Sequence, residues 1–285
     1  MNTSLRRAPL KSQVHAPKEA ARVFRINFSI VLTACCLALT SAASAEQVPV
    51  RQSRGTVHGF LVVRDDDGKQ IALGDSVDVA HGDRVTSHLT YRFRDGSIDE
   101  ETTVFSQRGV FRLISDHHVQ KGPSFPKPVD ILVDASGQVT LTDIGKDGKR
   151  SVHTEHMDVP SDLANGLPLT LLLNIKPDAP STTIAMVAPG DKPRLIHITI
   201  KPEQEHTITI AGSHRQVTDY CLHIELGGVA GVIAPILGKQ PKDIHVWVLK
   251  DAVPVFIRED GEFYAGGPIW HVQQVSANFE SPAAP

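Results

Sequence analysis

Six Xaa-Gly pairs recur along this chain, and each lies between stretches rich in β-branched and aromatic residues. The pairs are Asp67-Gly68, Asp95-Gly96, Arg108-Gly109, Ser136-Gly137, Asp147-Gly148 and Asp260-Gly261. Glycine adopts the positive φ angles that tight hairpin turns require, and aspartate is a common residue before it. Because so many tight turns separate short apolar segments, the chain is predicted to form a meander of antiparallel strands.

Apolar and polar residues alternate within these segments. In residues 218–226, Tyr220 and Leu222 belong to an apolar face, while Asp219 and Cys221 belong to a polar one. One solvent-exposed face and one buried face are typical of strands in an antiparallel sheet. The predicted strands are 56–64, 70–79, 85–94, 98–106, 109–115, 129–134, 138–144, 150–157, 182–188, 195–200, 206–211, 218–226, 243–249, 254–259 and 268–275.

One leucine-rich stretch, residues 162–175, departs from this alternation. Its leucines fit helical spacing, and Ser161 before it is a good N-terminal cap. Gly166 and Pro168 weaken the middle of such a helix, so we predict one helix, whole or broken, packed on the sheet. The predicted fold is mainly β: a large antiparallel curved sheet or half-barrel with one or two short helices, in a single domain over residues 55–276.

A secretion signal is expected at the N-terminus. Residues 26–39 form an apolar run that follows Arg22 and Arg25 and leads to the small residues 41–45. A basic region, a short apolar core and an A-x-A ending are the three parts of a secretory signal. We predict that residues 1–45 are a signal peptide cleaved after Ala45, which makes the protein periplasmic or secreted.

Three further expectations concern the ends of the chain. The sequence before Cys35 resembles a lipobox, so a lipid-anchored envelope protein is the alternative localisation, and membrane contact is expected only then or during ligand exchange. Residues 46–54 are predicted to be a linker. Residues 277–285 are predicted to be a disordered tail.

Charge and cysteine content narrow the range of functions. Residues 1–45 hold six of the 29 basic residues and one of the 32 acidic ones, which leaves a net charge of −8 after position 45. A chain this acidic, with no basic stripe, is not expected to bind nucleic acid. Cys221 is the single cysteine after position 45, so no internal disulfide, two-cysteine redox centre or cysteine-based zinc site is predicted.

The histidines are the first candidates for chemistry. His153 and Glu155 would share one strand face, with His156 opposite, and His117 and His118 would likewise point in opposite directions. His197, His223 and His245 each lie on the polar side of a strand and would cluster only if those strands were neighbours. Since no sequence motif brings three ligands together, we predict no metal and no cofactor.

Carboxylates are the second candidates. Asp99 and Glu101 would share one side of a strand, and paired carboxylates do acid–base work when one of them is desolvated. We interpret this pair as a solvated edge, and Asp65-Asp66-Asp67-Gly68 as an acidic hairpin turn rather than a calcium loop. Cys221 with His223 is interpreted as a small residue on a sheet face rather than a nucleophile.

The chain resembles exported bacterial β-rich proteins that form domains of unknown function, either half-barrels or lipocalin-like barrels. Three segments carry the resemblance: the turn 93–101, the loop 120–126 and the uncharged segment 227–238. The resemblance implies a curved antiparallel sheet and supplies no catalytic residues.

These features favour a periplasmic or cell-envelope binding or carrier protein for a small apolar, lipid-like ligand, rather than an enzyme. The leucine-rich 163–175 segment and the uncharged 227–238 segment are candidate lids. The alternatives are an exported hydrolase that uses histidines and carboxylates of a polar face, and an envelope interaction or scaffold protein that uses a sheet edge. The oligomeric state stays open. The candidate ligand-binding residues are Phe125, Leu167, Leu171, Trp247 and Trp270.

Overall fold

The predicted strands form one antiparallel sheet in the computed structural model, which describes residues 47–145, 148–176, 178–190, 192–210, 212–227 and 240–275. The signal segment, most of the uncharged segment 227–238 and the tail lie outside these residues. The strands are β1 Val57–Arg64, β2 Gln70–His81, β3 Arg84–Phe93, β4 Ile98–Ser106, β5 Arg112–Lys121, β6 Val129–Asp134, β7 Gln138–Ile144, β8 Arg150–His156, β9 Thr182–Ala188, β10 Arg194–Ile210, β11 Ser213–Glu225, β12 Ile244–Leu249, β13 Val255–Glu262 and β14 Ile269–Val275.

The 14-stranded sheet is built from two meanders that join at β1 and β14. Its order is β8-β7-β6-β5-β4-β3-β2-β1-β14-β13-β12-β11-β10-β9, and neighbouring strands are antiparallel throughout. The sheet therefore ends at β8 and at β9, and these two strands do not pair among the described residues. The predicted fold class is confirmed: the sheet is antiparallel, not closed into a barrel and accompanied by almost no helix.

The sheet curls strongly, so that strands far apart in its order face each other. Strand β13 lies six places from β5, a separation of roughly 29 Å in a flat sheet. Yet the Gln120 side chain of β5 donates a hydrogen bond of 2.8 Å to the carbonyl oxygen of Phe263, which directly follows β13. The inner face of this curved sheet holds most of the hydrophobic core, including the fully buried Val63, Val85 and Phe105.

The connector between β8 and β9, residues 157–181, crosses between the two ends of the sheet. Met157 at its start donates its backbone N–H to Gly137, beside β7. Further along, Leu163 forms an isolated parallel bridge with Ala185 of β9. The buried Asn165 side chain then donates to and accepts from the backbone of Val187. The connector is thus anchored to both halves of the sheet.

The predicted helix in this connector is much shorter than expected. Helix α1 spans Pro168–Leu172, its N-cap is Leu167, and Pro168 occupies its first turn. Ser161 is therefore not the N-cap. The reason is Gly166, whose φ of +66° ends any helix that starts earlier, whereas proline is well tolerated in a first turn. The asparagine after the helix, Asn174, binds the backbone N–H groups of Arg51 and Gln52.

Five of the six glycines in the predicted turns adopt positive φ angles: Gly68, Gly96, Gly109, Gly137 and Gly148. Residue 147 lies outside the described residues. The Asp260-Gly261 turn is wrong, because both residues lie inside β13 and Gly261 pairs with Trp270 of β14. A side chain at position 261 would contact Ile244 at 3.1 Å, so close packing explains this glycine better than a turn does.

Several strand boundaries also differ from prediction, most clearly those of β5 and β10. Strand β5 was expected at 109–115 but runs from Arg112 to Lys121, which places Asp116, His117 and His118 inside the strand. The strands expected at 195–200 and 206–211 are one long strand, β10, with an irregularity between Pro202 and Gln204. Before β1, Val48 is buried and Pro49 bridges Val110. Among the described residues, no helix has the length and apolar character needed to cross a membrane.

Candidate functional site

A group of polar and ionisable side chains lies on the inner face of the sheet. Strands β4 and β5 supply three facing pairs: Asp99 with Gln120, Glu101 with His118, and Thr103 with Asp116. Period-two geometry keeps all six on one face, because each pair is two residues from the next. We call this group, together with Tyr91 of β3 and Glu259 of β13, the inner polar cluster.

Asp99 is the best-bonded member of the inner polar cluster. Its carboxylate accepts a hydrogen bond from Gln120 at 2.9 Å and lies 2.8 Å from His118 Nε2. The same Gln120 amide group also reaches the Phe263 carbonyl oxygen. Gln120 therefore connects the polar residues of β4 and β5 to the end of β13, which faces them because the sheet curls.

Asp116 is the most deeply buried carboxyl group of the cluster, with 2% of its surface exposed. It accepts a hydrogen bond of 2.9 Å from the Thr103 hydroxyl. The connector covers this pair at Gly166, where a Cβ atom would lie 1.9 Å from Thr103 Oγ1 and 2.5 Å from Asp116 Oδ1. Only a residue without a side chain can approach the cluster this closely.

Burial raises the pKa values of the carboxyl groups. Loss of solvent, reinforced by the nearby Glu101 charge and opposed by the Thr103 bond, raises the pKa of Asp116 to about 8. Desolvation, with Asp260 and Asp99 adding to it, raises the pKa of Glu259 to about 7. The pKa of Glu101 is also raised by burial, although His118 counteracts the shift.

His118 and Tyr91 respond to the same surroundings. Burial by itself lowers the pKa of His118, but the bond to Asp99 and the Glu101 carboxylate outweigh it and raise the pKa to about 9. Burial, with the carboxylates of Glu259, Asp99 and Glu101 nearby, raises the pKa of Tyr91 well above its usual value. At neutral pH the cluster therefore combines a protonated imidazole with carboxyl groups poised to gain or lose protons.

The interpretation of Asp99 and Glu101 as a solvated edge is wrong. Alternation correctly places them on one side of the strand, but the curl of the sheet turns that side inward. His117 and His118 do point in opposite directions: His117 pairs on the outer face with Asp130 at 2.9 Å, and His118 enters the cluster. Glu259, which no sequence feature connects to these residues, lies on β13, 141 positions after His118.

An aromatic group adjoins the inner polar cluster on the same face. Tyr91 belongs to both, since its ring centroid lies 5.2 Å from that of Phe263. Trp270 lies 4.8 Å from Phe263 and 6.0 Å from Phe125 by ring centroids. The members of this aromatic group are Tyr91, Phe93, Phe125, Phe263, Tyr264 and Trp270.

Four of the five candidate ligand-binding residues lie on the inner side of the sheet. Phe125 and Trp270 are in contact within the aromatic group, and Leu167 and Leu171 of the connector are buried in the same hydrophobic core. Trp247 does not join them. Its neighbours Val246 and Val248 face the core, so Trp247 faces outward, where the Arg258 guanidinium lies 5.2 Å above its ring.

The other sequence candidates are not members of the inner polar cluster. His153 and Glu155 share a face of β8, as expected, and His153 is exposed. Residues 65–69 form an acidic turn in which the Asp65 carboxylate accepts the backbone N–H of Lys69, and Asp66 reaches His271. Strands β10, β11 and β12 are neighbours, so the outer-face polar residues of these strands do come together.

Comparison with solved structures gives a structural likeness. No family model matches the chain, and no curated protein matches it. Among solved structures, it is similar to a β-barrel-like protein of domain of unknown function DUF1849 from Brucella abortus. The identity is 9%, the TM-score is 0.41, and the match covers 84% of this chain and 100% of that chain.

Proposed function

We propose that this protein is a binding or carrier module of the cell envelope for a small amphiphilic, lipid-like ligand. The observation that carries the proposal is the contact between the aromatic group and the inner polar cluster on one concave face. Sites for amphiphiles combine an apolar wall with a few convergent polar groups. Here Tyr91 and Gln120 join the two parts, because each contacts Phe263 as well as the carboxylate cluster.

The charge of the inner polar cluster favours a cationic head group. The cluster contains four carboxyl groups, those of Asp99, Glu101, Asp116 and Glu259, against one imidazole. An ammonium group among them would favour the charged carboxylates and donate hydrogen bonds to them. The apolar tail would then lie along the aromatic group and under the connector that carries Leu167 and Leu171.

A tryptophan-based titration tests this proposal. In a Trp247→Phe variant, Trp270 is the single tryptophan, and it reports on the aromatic group. We expect n-dodecylamine, added below its micelle concentration, to change Trp270 emission saturably, and n-dodecanoate to bind at least about tenfold more weakly. Replacing Glu259 by Gln in the same background should weaken amine binding about tenfold, because a charge-assisted hydrogen bond is lost.

The matched control is Glu100→Gln, which removes a carboxylate from the exposed face of β4. It should leave amine affinity within about twofold of the parent. Equal binding of the amine and the carboxylate, or equal effects of Glu259→Gln and Glu100→Gln, would contradict a cation-selective inner site. Absence of any saturable change in Trp270 emission would contradict amphiphile binding itself.

A second candidate function is hydrolysis, and it is favoured by one contact. His118 is held by Asp99 at 2.8 Å while its register partner is Glu101, an imidazole between two carboxyl groups. With its raised pKa, His118 would serve as a general acid. If the protein is an esterase, it should cleave 4-nitrophenyl esters, and His118→Gln should lower the rate by about 100-fold. The outer-face variant His117→Gln should keep full activity, so equal rates in both variants would exclude this role.

A further inference from the structure

A second group of ionisable side chains lies on the outer face of β10, β11 and β12, away from the inner polar cluster. Glu203, Asp219 and His245 each place one ligand atom so that all three atoms lie within 4.8 Å of one another. His245 Nδ1 lies 3.3 Å from Asp219 Oδ1 and 3.8 Å from Glu203 Oε2. One nitrogen and two carboxylate oxygens are therefore grouped within reach of a single ion.

The register of the sheet explains why these residues meet. On β12, His245 pairs with Cys221 and the next outward residue, Trp247, pairs with Asp219, so His245 and Asp219 are diagonal neighbours. Glu203 reaches them from β10 because the pairing with β11 shifts between Pro202 and Gln204. A bulge of this kind redirects the side chain of the extra residue, and bulges are frequent beside functional sites.

The two distances from His245 Nδ1 are compatible with a small divalent ion. Zinc bonds to imidazole nitrogen and carboxylate oxygen at about 2.0–2.2 Å, which separates tetrahedral ligand atoms by roughly 3.4 Å. The two distances from His245 lie on either side of that value. Asp219 is 93% shielded from solvent within this group, since 7% of its surface is exposed, and an imidazole ligand favours transition metals over calcium or magnesium.

We propose that Glu203, Asp219 and His245 form a binding site for a divalent transition-metal ion, with Zn²⁺ as the representative ion. Three protein ligands leave a fourth position for water. The site is independent of the proposed amphiphile-binding function, because it lies on the opposite face of the sheet. His197 and His223, which the sequence predicts on the polar side of their strands as it does His245, are not part of this site. His223 pairs instead with Asp243 at 2.6 Å.

Isothermal titration of the untagged, EDTA-treated protein with Zn²⁺ tests the site. We expect one tight equivalent per chain and at least about 100-fold weaker binding of Ca²⁺. Glu203→Gln and His245→Gln should each weaken Zn²⁺ binding by about 100-fold, whereas His223→Gln should change it by less than about threefold. Glu203 is exposed, so its replacement keeps the fold, and circular dichroism of each variant checks this.

The His223→Gln control separates Zn²⁺ binding at this site from nonspecific Zn²⁺ binding to surface histidines. His223 lies on β11 beside a carboxylate, as His245 does on β12, but the partners of His223 do not supply a third ligand atom within the described residues. Absence of a tight Zn²⁺ equivalent would overturn the proposal. Equal losses in His223→Gln and His245→Gln, or an unchanged affinity in folded Glu203→Gln, would overturn it as well.

Discussion

Replacing Gly166 by Ala should cost about 3–5 kcal/mol of unfolding free energy, the range of severe core disruptions. Two effects add. Gly166 has a φ of +66°, which an alanine adopts only at a cost of about 1–2 kcal/mol. Its new methyl group would also lie 1.9 Å from Thr103 Oγ1 and 2.5 Å from Asp116 Oδ1. The connector must then move away from the inner polar cluster, and urea denaturation monitored by circular dichroism measures the loss.

Gly68→Ala is the matched control for the steric part of this effect. Gly68 has a similar φ of +77°, but nothing lies within 4 Å of the position its Cβ would take. We expect this variant to lose about 1–2 kcal/mol, the backbone cost alone. Equal losses of unfolding free energy in Gly68→Ala and Gly166→Ala would show that the connector does not pack closely against Thr103 and Asp116.

The second expected result is that the inner polar cluster makes the protein less stable as pH rises from about 5 to about 8. The folded-state pKa values of Asp116 and Glu259 are about 8 and about 7, above the values near 4 of an unfolded chain. Between pH 5 and pH 8 the native state therefore binds more protons than the unfolded state. The free energy of unfolding consequently falls as pH rises through this range. His118, with a folded-state pKa of about 9, acts in the same direction at higher pH, because its protonated form is stabilised in the fold.

Asp116→Asn isolates one carboxyl group of this effect. Asparagine keeps an acceptor for the Thr103 hydroxyl but cannot ionise, so the variant should gain stability relative to the parent as pH rises. From pH 5 to pH 8 we expect a relative gain on the order of 2–4 kcal/mol, since each pH unit inside the window is worth about 1.4 kcal/mol per proton. Urea midpoints of both proteins across this pH range supply the measurement.

Asp130→Asn is the control, because Asp130 pairs with His117 on the outer face of the neighbouring strand. Its stability difference from the parent should stay within about 1 kcal/mol at every pH in this range, as for other exposed pairs. If the stabilities of Asp116→Asn and the parent changed in parallel with pH, the Asp116 carboxyl group would not gain a proton on folding.

Local sequence signals were sufficient for most of the strands. Asp67-Gly68 and Asp95-Gly96 are turns because glycine at positive φ is a property of the dipeptide itself, almost independent of the rest of the fold. The same dipeptide at 260–261 lies within a strand, where pairing with β14 and contact with Ile244 decide the backbone. Turn chemistry is therefore a strong local preference that strand pairing can override.

The candidate sites could be predicted only in part. Alternation correctly put Asp99 and Glu101 on one face, and Tyr220 with Leu222 on the face opposite Asp219. Alternation does not indicate which face of β4 turns inward when the sheet curls. The sequence also did not indicate that His245 would approach a carboxylate of β10, because a bulge at Glu203 sets that approach.

Five of the six recurring glycine pairs, together with the period-two alternation, determined through local backbone preference and burial that this chain forms antiparallel meanders. Tertiary structure decided the rest. Curling of the sheet brought Glu259 toward Asp99 and Glu101, and the connector placed Gly166 on Asp116. The physical reason is the sequence distance over which the interactions act. Turns and alternation depend on neighbours in sequence, whereas the pKa of a carboxyl group depends on charges and solvent exposure that the whole fold determines.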